Sequence, residues 1–120
     1  MQQDIEDMLR LLRDKLGVAL GRNLDRVILY GSRARGDESP DSDLDVLVVV
    51  GDSGSSEREV IHRIAYQIMW DREFLPVIFL NIIDREHYLL LSEAGSSYLG
   101  NILREGKSLW PIGRAKAGIG

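Results

Sequence analysis

The 120-residue chain contains no cysteine, which excludes disulfides and thiolate metal sites. Its two histidines, His62 and His87, lie far apart and do not form a metal-ligand pattern. Fifteen Lys and Arg face nineteen Asp and Glu, giving a net charge of −4, so a large nucleic-acid footprint is not expected. There is no apolar run of ~20 residues and no N-terminal charge pattern of a signal peptide. We therefore expect a cytoplasmic protein without membrane or long nucleic-acid partners.

The composition predicts one small domain. The chain is 44% apolar and 28% charged, which is ordinary for a globular protein, and its length allows one core. It shows no internal repeat, no low-complexity segment and no long linker. The domain is predicted to span residues 1–112, followed by a tail over residues 113–120.

Apolar residues spaced three or four apart predict the helices. The first runs from Ile5 to Leu20, loosens at Gly17 and stops at Gly21. The second begins with a capping box formed by Ser56 and Glu59 and ends near residue 70. Asp84 is expected to cap a third helix through residues 88–91, and a last helix is predicted over residues 92–104, ended by Gly106.

Runs of β-forming residues predict the strands. Three are expected over residues 25–30, 44–50 and 74–83, and a short fourth over residues 109–111. Pro76 favours an edge position or a bulge in the third strand. The expected fold is therefore α/β: a small mixed sheet of three to four strands with helices packed mainly on one face.

Two short motifs lie at the ends of neighbouring predicted strands. Gly31 and Ser32 follow the first strand, and Asp43 and Asp45 open the second. Because side chains alternate along a strand, the two carboxylates should share a face, roughly 6–7 Å apart. Such a pair can bracket two divalent ions about 3.5–4 Å apart, as in nucleotidyl transfer. Backbone N–H groups at a helix start bind anions, so together the motifs indicate a nucleotide with its metal ions.

Each motif also has a simpler explanation. Asp43 and Asp45 could serve solubility, although adjacent acids repel each other unless a cation neutralises them. Gly31 could be a turn glycine and Ser32 a helix N-cap, and only their spacing from the acids favours a binding role.

The two arginines after Ser32 remain ambiguous. Arg33 and Arg35 could counter the charge of a triphosphate. They could equally form salt bridges with the neighbouring acids Asp37, Glu38 or Asp41.

A Gly-Ser pair, ten intervening residues and Asp-x-Asp form a known fingerprint. Gly31-Ser32 and Asp43-Leu44-Asp45 match it, and Ala34-Arg35-Gly36 matches its fuller form. In these residues the chain resembles the minimal nucleotidyltransferase branch of the DNA polymerase β-like superfamily.

The resemblance implies an activity and a site. It implies transfer of a nucleoside monophosphate, AMP from ATP, to an acceptor hydroxyl. Asp43 and Asp45 would be catalytic and would hold Mg²⁺, as two ions. The nucleotide-binding residues would be Gly31, Ser32, Arg33 and Arg35.

The resemblance departs from the family pattern at a third carboxylate on the strand beside Asp-x-Asp. No acid occurs from Val77 to Phe79, and Glu73 precedes the strand. Loss of such a base slows transfer by roughly 10²–10⁴-fold. Glu73, a partner residue or water would have to replace it.

The resemblance also implies a partner, since so short a chain has little surface for an acceptor pocket. Related proteins pair with small helical HEPN-type proteins in toxin–antitoxin modules, so a homo- or hetero-oligomer is expected. The alternative is a non-catalytic module that binds nucleotide or neutralises its partner with the same fold.

Overall fold

A computed structural model describes residues 3–31, 34, 43–52 and 54–111. Within these residues the chain forms four α-helices, four strands and a short 3₁₀ turn at Gly21–Asn23. In chain order the elements are α1 Gln3–Leu20, β1 Leu24–Tyr30, β2 Leu44–Val50, α2 Ser55–Asp71, β3 Ile78–Asp84, α3 Arg85–Glu93, α4 Ser97–Glu105 and β4 Lys107–Trp110.

The strands form one mixed sheet in the order β3-β2-β1-β4. Strand β1 is antiparallel to both β2 and β4, whereas β2 and β3 run parallel. The predicted α/β fold with a small mixed sheet is therefore confirmed, and the fourth strand is present. Strand β3 lies at an edge, as Pro76 suggested, but Pro76 itself precedes the strand.

The two faces of the sheet carry separate cores. On the first face, Val46 and Val48 join side chains of the long helices α1 and α2 in the larger core. On the second face, Leu47 and Val49 pack with Leu99 and other side chains beneath the short helix α4. Because side chains alternate along β2, Asp45 projects from this second face, beside Leu47. The fold thus directs the acidic motif toward the side that the short helices cover only in part.

Helix α1 corrects one expectation. The helix continues without interruption through Gly17 to Leu20, so Gly17 does not loosen it. A Cβ atom at Gly17 would lie 2.9 Å from the Trp110 ring. The glycine therefore makes room for a side chain of β4 to pack against the helix.

The expected capping box at the start of α2 is wrong. The N-cap is Gly54, in an extended conformation and without a side-chain cap hydrogen bond. Ser56 lies inside the first turn, where its hydroxyl contacts the carboxylate of Glu57 at 3.4 Å. The cap predicted for α3 is confirmed, because the Asp84 carboxylate accepts a hydrogen bond of 2.8 Å from the backbone N–H of His87.

Strand β3 begins later than expected, at Ile78 rather than Phe74. Glu73 and Phe74 have φ angles of 57° and 59° and belong to a turn after α2. The Phe74 amide donates to the Met69 carbonyl at 2.8 Å. Its ring lies 5.4 Å from the ring of Tyr66, measured between centroids. These contacts hold Phe74 in the turn and out of the strand.

The last helix begins later than predicted, at Ser97 rather than at residue 92. Helix α3 already ends at Glu93, and Gly95 has a φ of 69° that a continuing helix cannot contain. Helix α4 then starts at Ser97, with the Ser96 hydroxyl accepting from the Leu99 N–H. Gly106 ends it, as predicted.

Among the helices described, none is long and apolar enough to cross a membrane. Within the predicted short helical turn from Ser32 to Gly36, Ala34 is helical and buried, whereas its chain neighbours and the predicted tail over residues 113–120 lie outside the described residues. The assignment of residues 1–112 to one domain stays a prediction.

Candidate active site

Gly31 and Asp45 contact each other at one end of the β1–β2 pair. The antiparallel register pairs Tyr30 with Asp45, and Gly31 follows directly. Gly31 has a φ of 80°, and a Cβ built there would lie only 2.5 Å from the Asp45 Oδ2 atom. A side chain at this position would therefore meet both backbone strain and a collision with the carboxylate. The turn after β1 is in this way coupled to the acidic motif of β2.

The two carboxylates of the motif interact electrostatically. Asp43 is exposed and directly precedes β2. Asp45 is the second residue of β2 and is half-buried. Burial raises the pKa of the Asp45 carboxyl above its usual range, and the charge of Asp43 raises it further. A cation between them would relieve both costs.

The donor set fits Mg²⁺ but does not form a complete protein cage. Within the described residues, no group of three or more His, Cys, Asp or Glu is arranged to hold a metal ion. Mg²⁺ is commonly bound by one or two carboxylates together with substrate phosphates and water. Asp43 and Asp45 supply the protein part of such a set. The other predicted nucleotide-binding residues, Ser32, Arg33 and Arg35, lie outside the described residues.

Phe79 lies where a third carboxylate would complete the acidic group. The parallel register pairs Asp45 with Phe79 on β3, and paired residues of neighbouring strands project from the same face. The Phe79 side chain is 54% exposed. Glu73 belongs to the turn before the strand, and it forms no metal-binding group with Asp43 and Asp45.

The sequence interpretation did not select three further polar residues near the acidic motif. Tyr30 is the register partner of Asp45, and Asn81 and Tyr98 lie with it on the second face of the sheet. The Asn81 side-chain amide donates a hydrogen bond to the Tyr98 hydroxyl, and Tyr98 lines the same pocket as Tyr30. Burial raises the pKa of Tyr30, and the contacts with Tyr98 and the charge of Asp45 raise it further. Two signals were available: Asn81 interrupts an apolar strand, and Tyr30 directly precedes Gly31.

A pocket of about 350 Å³ opens between the end of β1 and helix α4. This volume lies within the range of small-molecule sites. Phenol, amide and carboxylate groups share its wall with one apolar side chain. The lining residues are Tyr30, Gly31, Tyr98, Asn101, Ile102 and Glu105.

The acidic pair and the turn at Gly31 lie within the part of the chain that matches a known protein family. Residues 9–89 match the family model described as a nucleotidyltransferase domain. The chain belongs to the nucleotidyltransferase domain family.

Relatives and solved structures agree with this assignment. A protein of Methanocaldococcus jannaschii named "Putative protein adenylyltransferase" is 35% identical over 83 residues, which cover 67% of this chain and 84% of the relative. The spectinomycin adenyltransferase AAD(9) of Enterococcus faecialis, solved with ATP and spectinomycin, gives a TM-score of 0.69 at 20% identity. The match covers 88% of this chain and 55% of that enzyme. A chain of a toxin–antitoxin structure with AMP-PNP gives a TM-score of 0.53 at 20% identity. The match covers 84% of this chain and 72% of that one. The two structures share the fold of this chain.

Proposed function

We propose that the chain transfers AMP from ATP to a hydroxyl of a protein partner, a small helical protein of the HEPN type. The contact between Gly31 and Asp45 carries the proposal, because it joins an anion-binding turn to a pair of acids. The curated relative is named as a protein adenylyltransferase, and similar folds have been crystallised with ATP or AMP-PNP. These names support ATP as the nucleotide and a protein as the acceptor.

Each part of the site has a role in this reaction. Backbone N–H groups from Gly31 onward would bind the β- and γ-phosphates. Asp43 and Asp45 would hold Mg²⁺, which offsets charge on the α-phosphate and on the departing pyrophosphate. The half-buried position of Asp45 keeps its carboxylate close to Gly31, so the phosphates and the metal ligands have a fixed relation.

A second function has one observation in its favour. Phe79 occupies the position beside Asp45 where the family commonly carries a base. A chain without that base could bind ATP and its partner without transferring a nucleotide. The fold would then act as a partner-neutralising module.

Two measurements on the same proteins separate these functions. Calorimetry with ATP and Mg²⁺ tests binding, and transfer of labelled AMP tests catalysis. The acceptor assayed is any small all-helical protein that the adjacent reading frame proves to encode. We expect Asp43→Asn and Asp45→Asn to abolish transfer. Binding by the wild type without any transfer would favour the non-catalytic module.

Two control variants sharpen the experiment. Asp52→Asn makes the same chemical change at an exposed acid just beyond the other end of β2. It should leave ATP binding and AMP transfer unchanged. Glu73→Gln should also retain transfer, because Glu73 lies in a turn outside the strand. A loss confined to Glu73→Gln and the Asp43 and Asp45 variants would instead make Glu73 part of the site.

A further inference from the structure

The order of the strands sets the direction from which an acceptor reaches the nucleotide. In the proposed reaction the departing pyrophosphate lies at Gly31, at the end of β1, and the α-phosphate lies near Asp45 on β2. Attacking and leaving oxygens are roughly in line in phosphoryl transfer. Since β2 separates β1 from β3, the attacking oxygen must come from the β3 side.

The Tyr98 hydroxyl of this chain contacts β3. It accepts a hydrogen bond from Asn81 of β3 and lies across the pocket it shares with Tyr30 of β1. These two residues flank β2 on the second face of the sheet, and Tyr30 is the register partner of Asp45. The phenolic oxygen is therefore held over β2, beside the acidic motif.

Helix α4 fixes this phenol in position. Leu99 and Ile102 are buried against the second face at 1% and 3% exposure, and they anchor the helix that carries Tyr98. Tyr98 itself is 42% exposed, so solvent reaches it. Two other tyrosines point elsewhere: Tyr66 packs on Trp70 of α2, and Tyr88 lies against Arg26.

We propose that the chain adenylylates its own Tyr98 when ATP is bound, an inference that rests on the proposed function. The Tyr98 Oη–Pα bond forms while the bond from Pα to the bridging oxygen of pyrophosphate breaks. Pyrophosphate leaves with the electron pair, and the phenolic proton passes to solvent water.

Self-modification would regulate the same site. Tyr98 lines the 350 Å³ pocket together with Tyr30 and Gly31, so an attached AMP would fill that pocket. A modified chain should therefore bind a second ATP more weakly by at least tenfold. The acceptor hydroxyl of a partner would lose access to the acidic pair at the same time.

The test requires the purified chain, ATP and Mg²⁺. Intact-mass spectrometry should show the addition of one AMP group per chain, and fragmentation should locate it on Tyr98. Asp45→Asn and Tyr98→Phe should stay unmodified. Tyr66→Phe removes an exposed phenol outside the site and should be modified like the wild type.

Several outcomes would overturn the proposal. A wild-type chain that binds ATP in calorimetry but remains unmodified contradicts it, as does AMP attached to Tyr30 or to any other residue. If Tyr98→Phe no longer binds ATP, its lack of modification tests nothing. The residue that carries AMP in the fragmented wild-type chain then decides whether the proposal holds. Transfer to a partner without self-modification refutes this inference and leaves the proposed function standing, whereas absence of ATP binding removes both.

Discussion

Gly31 and Asp45 depend on each other in a way that neither residue type reveals alone. The positive φ of Gly31 turns the chain away from β1, and the missing side chain admits the Asp45 carboxylate. A phosphate bound at this turn would therefore lie next to the ligands of its metal ion.

Gly31→Ala should abolish ATP binding. The added Cβ atom would strain the backbone. Because it would lie only 2.5 Å from the Asp45 Oδ2 atom, it would also displace the Asp45 carboxylate. We expect a loss of about 1–3 kcal/mol in the free energy of unfolding, from backbone strain at a position with positive φ. Urea denaturation and calorimetry with ATP and Mg²⁺ measure the two effects.

Gly95→Ala is the matched control for strain without collision. Gly95 has a similar φ of 69°, but a Cβ there meets no atom within 4 Å. It should lose stability comparably and bind ATP normally. Equal ATP affinity in the two alanine variants would show that the contact with Asp45 is not required.

Asp45→Asn should stabilise the ligand-free fold at neutral pH. The pKa of Asp45 is raised by burial and by the charge of Asp43, so its ionised form is less favourable in the folded state than in the unfolded chain. Solvent screens this half-buried group, and we expect a gain of no more than about 1 kcal/mol.

The pH dependence follows from the sign of that shift. Between the unfolded and folded pKa values the folded state binds more protons, so the wild type loses stability as pH rises through this window. The gain of Asp45→Asn should disappear below the unfolded value, about 3.9. With Mg²⁺ and ATP at 100 times the dissociation constant, the wild type should gain about 2.7 kcal/mol and the variant should not. An unchanged ranking of the two proteins with ligand would contradict a ligand role for Asp45.

The strands differed in how well the sequence predicted them. Strand β2 has the predicted bounds, since a continuous apolar run buried on both faces has one consistent assignment. The start of β3 was wrong because the ring of Phe74 packs on Tyr66 of α2, a contact that no local pattern contains. The alignment of Asp45 with Phe79 also depends on the register of two strands far apart in sequence.

Phe79→Asp should create a three-carboxylate group. The parallel register puts position 79 beside Asp45 on the same face, with neighbouring strands about 4.8 Å apart. We expect tighter Mn²⁺ binding in the presence of AMP-PNP and faster pyrophosphate release from ATP, within the roughly 10²–10⁴-fold range of a general base. The ligand-free protein should become less stable, because a third negative charge adds to the repulsion.

Leu75→Asp introduces the same charge outside the strand register. Leu75 is 65% exposed and precedes β3, so this variant should leave metal affinity and reaction rate unchanged. Identical metal affinities for Phe79→Asp and the wild type would refute the role assigned to position 79.

The division of the fold into two unequal cores explains why the pocket was not predicted. Helical periodicity gave the larger core under α1 and α2, whose apolar spacings are regular. The smaller core needs α4, whose start the sequence pattern placed at residue 92 rather than at Ser97. It is also built from strand residues paired at long range. Tyr98, Asn81 and Tyr30 meet only once that second face has formed. The acidic motif was therefore visible in the sequence, whereas its surroundings were not.

Ile102→Ala should loosen α4 while the rest of the fold persists. Ile102 and Leu99 are the side chains of α4 buried in the smaller core, so removing one leaves little to hold the helix. Hydrogen exchange should show faster exchange of the amides of residues 97–105 under native conditions, because local opening no longer costs most of the global free energy. ATP binding and labelling of Tyr98 should fall with it.

Ile61→Ala removes the same side chain from the larger core, where Ile61 is fully buried on α2. Both variants should lose about 2–5 kcal/mol of global stability. Two long helices and the first face of the sheet form the larger core, so the stability lost in Ile61→Ala should be lost by the whole fold. The free energy of local opening of α4, measured by amide exchange, should stay unchanged as long as it is smaller than the free energy of global unfolding. Equal exchange of residues 97–105 in the two variants would mean that α4 opens only with global unfolding, and the pocket would then be as rigid as the sheet beneath it.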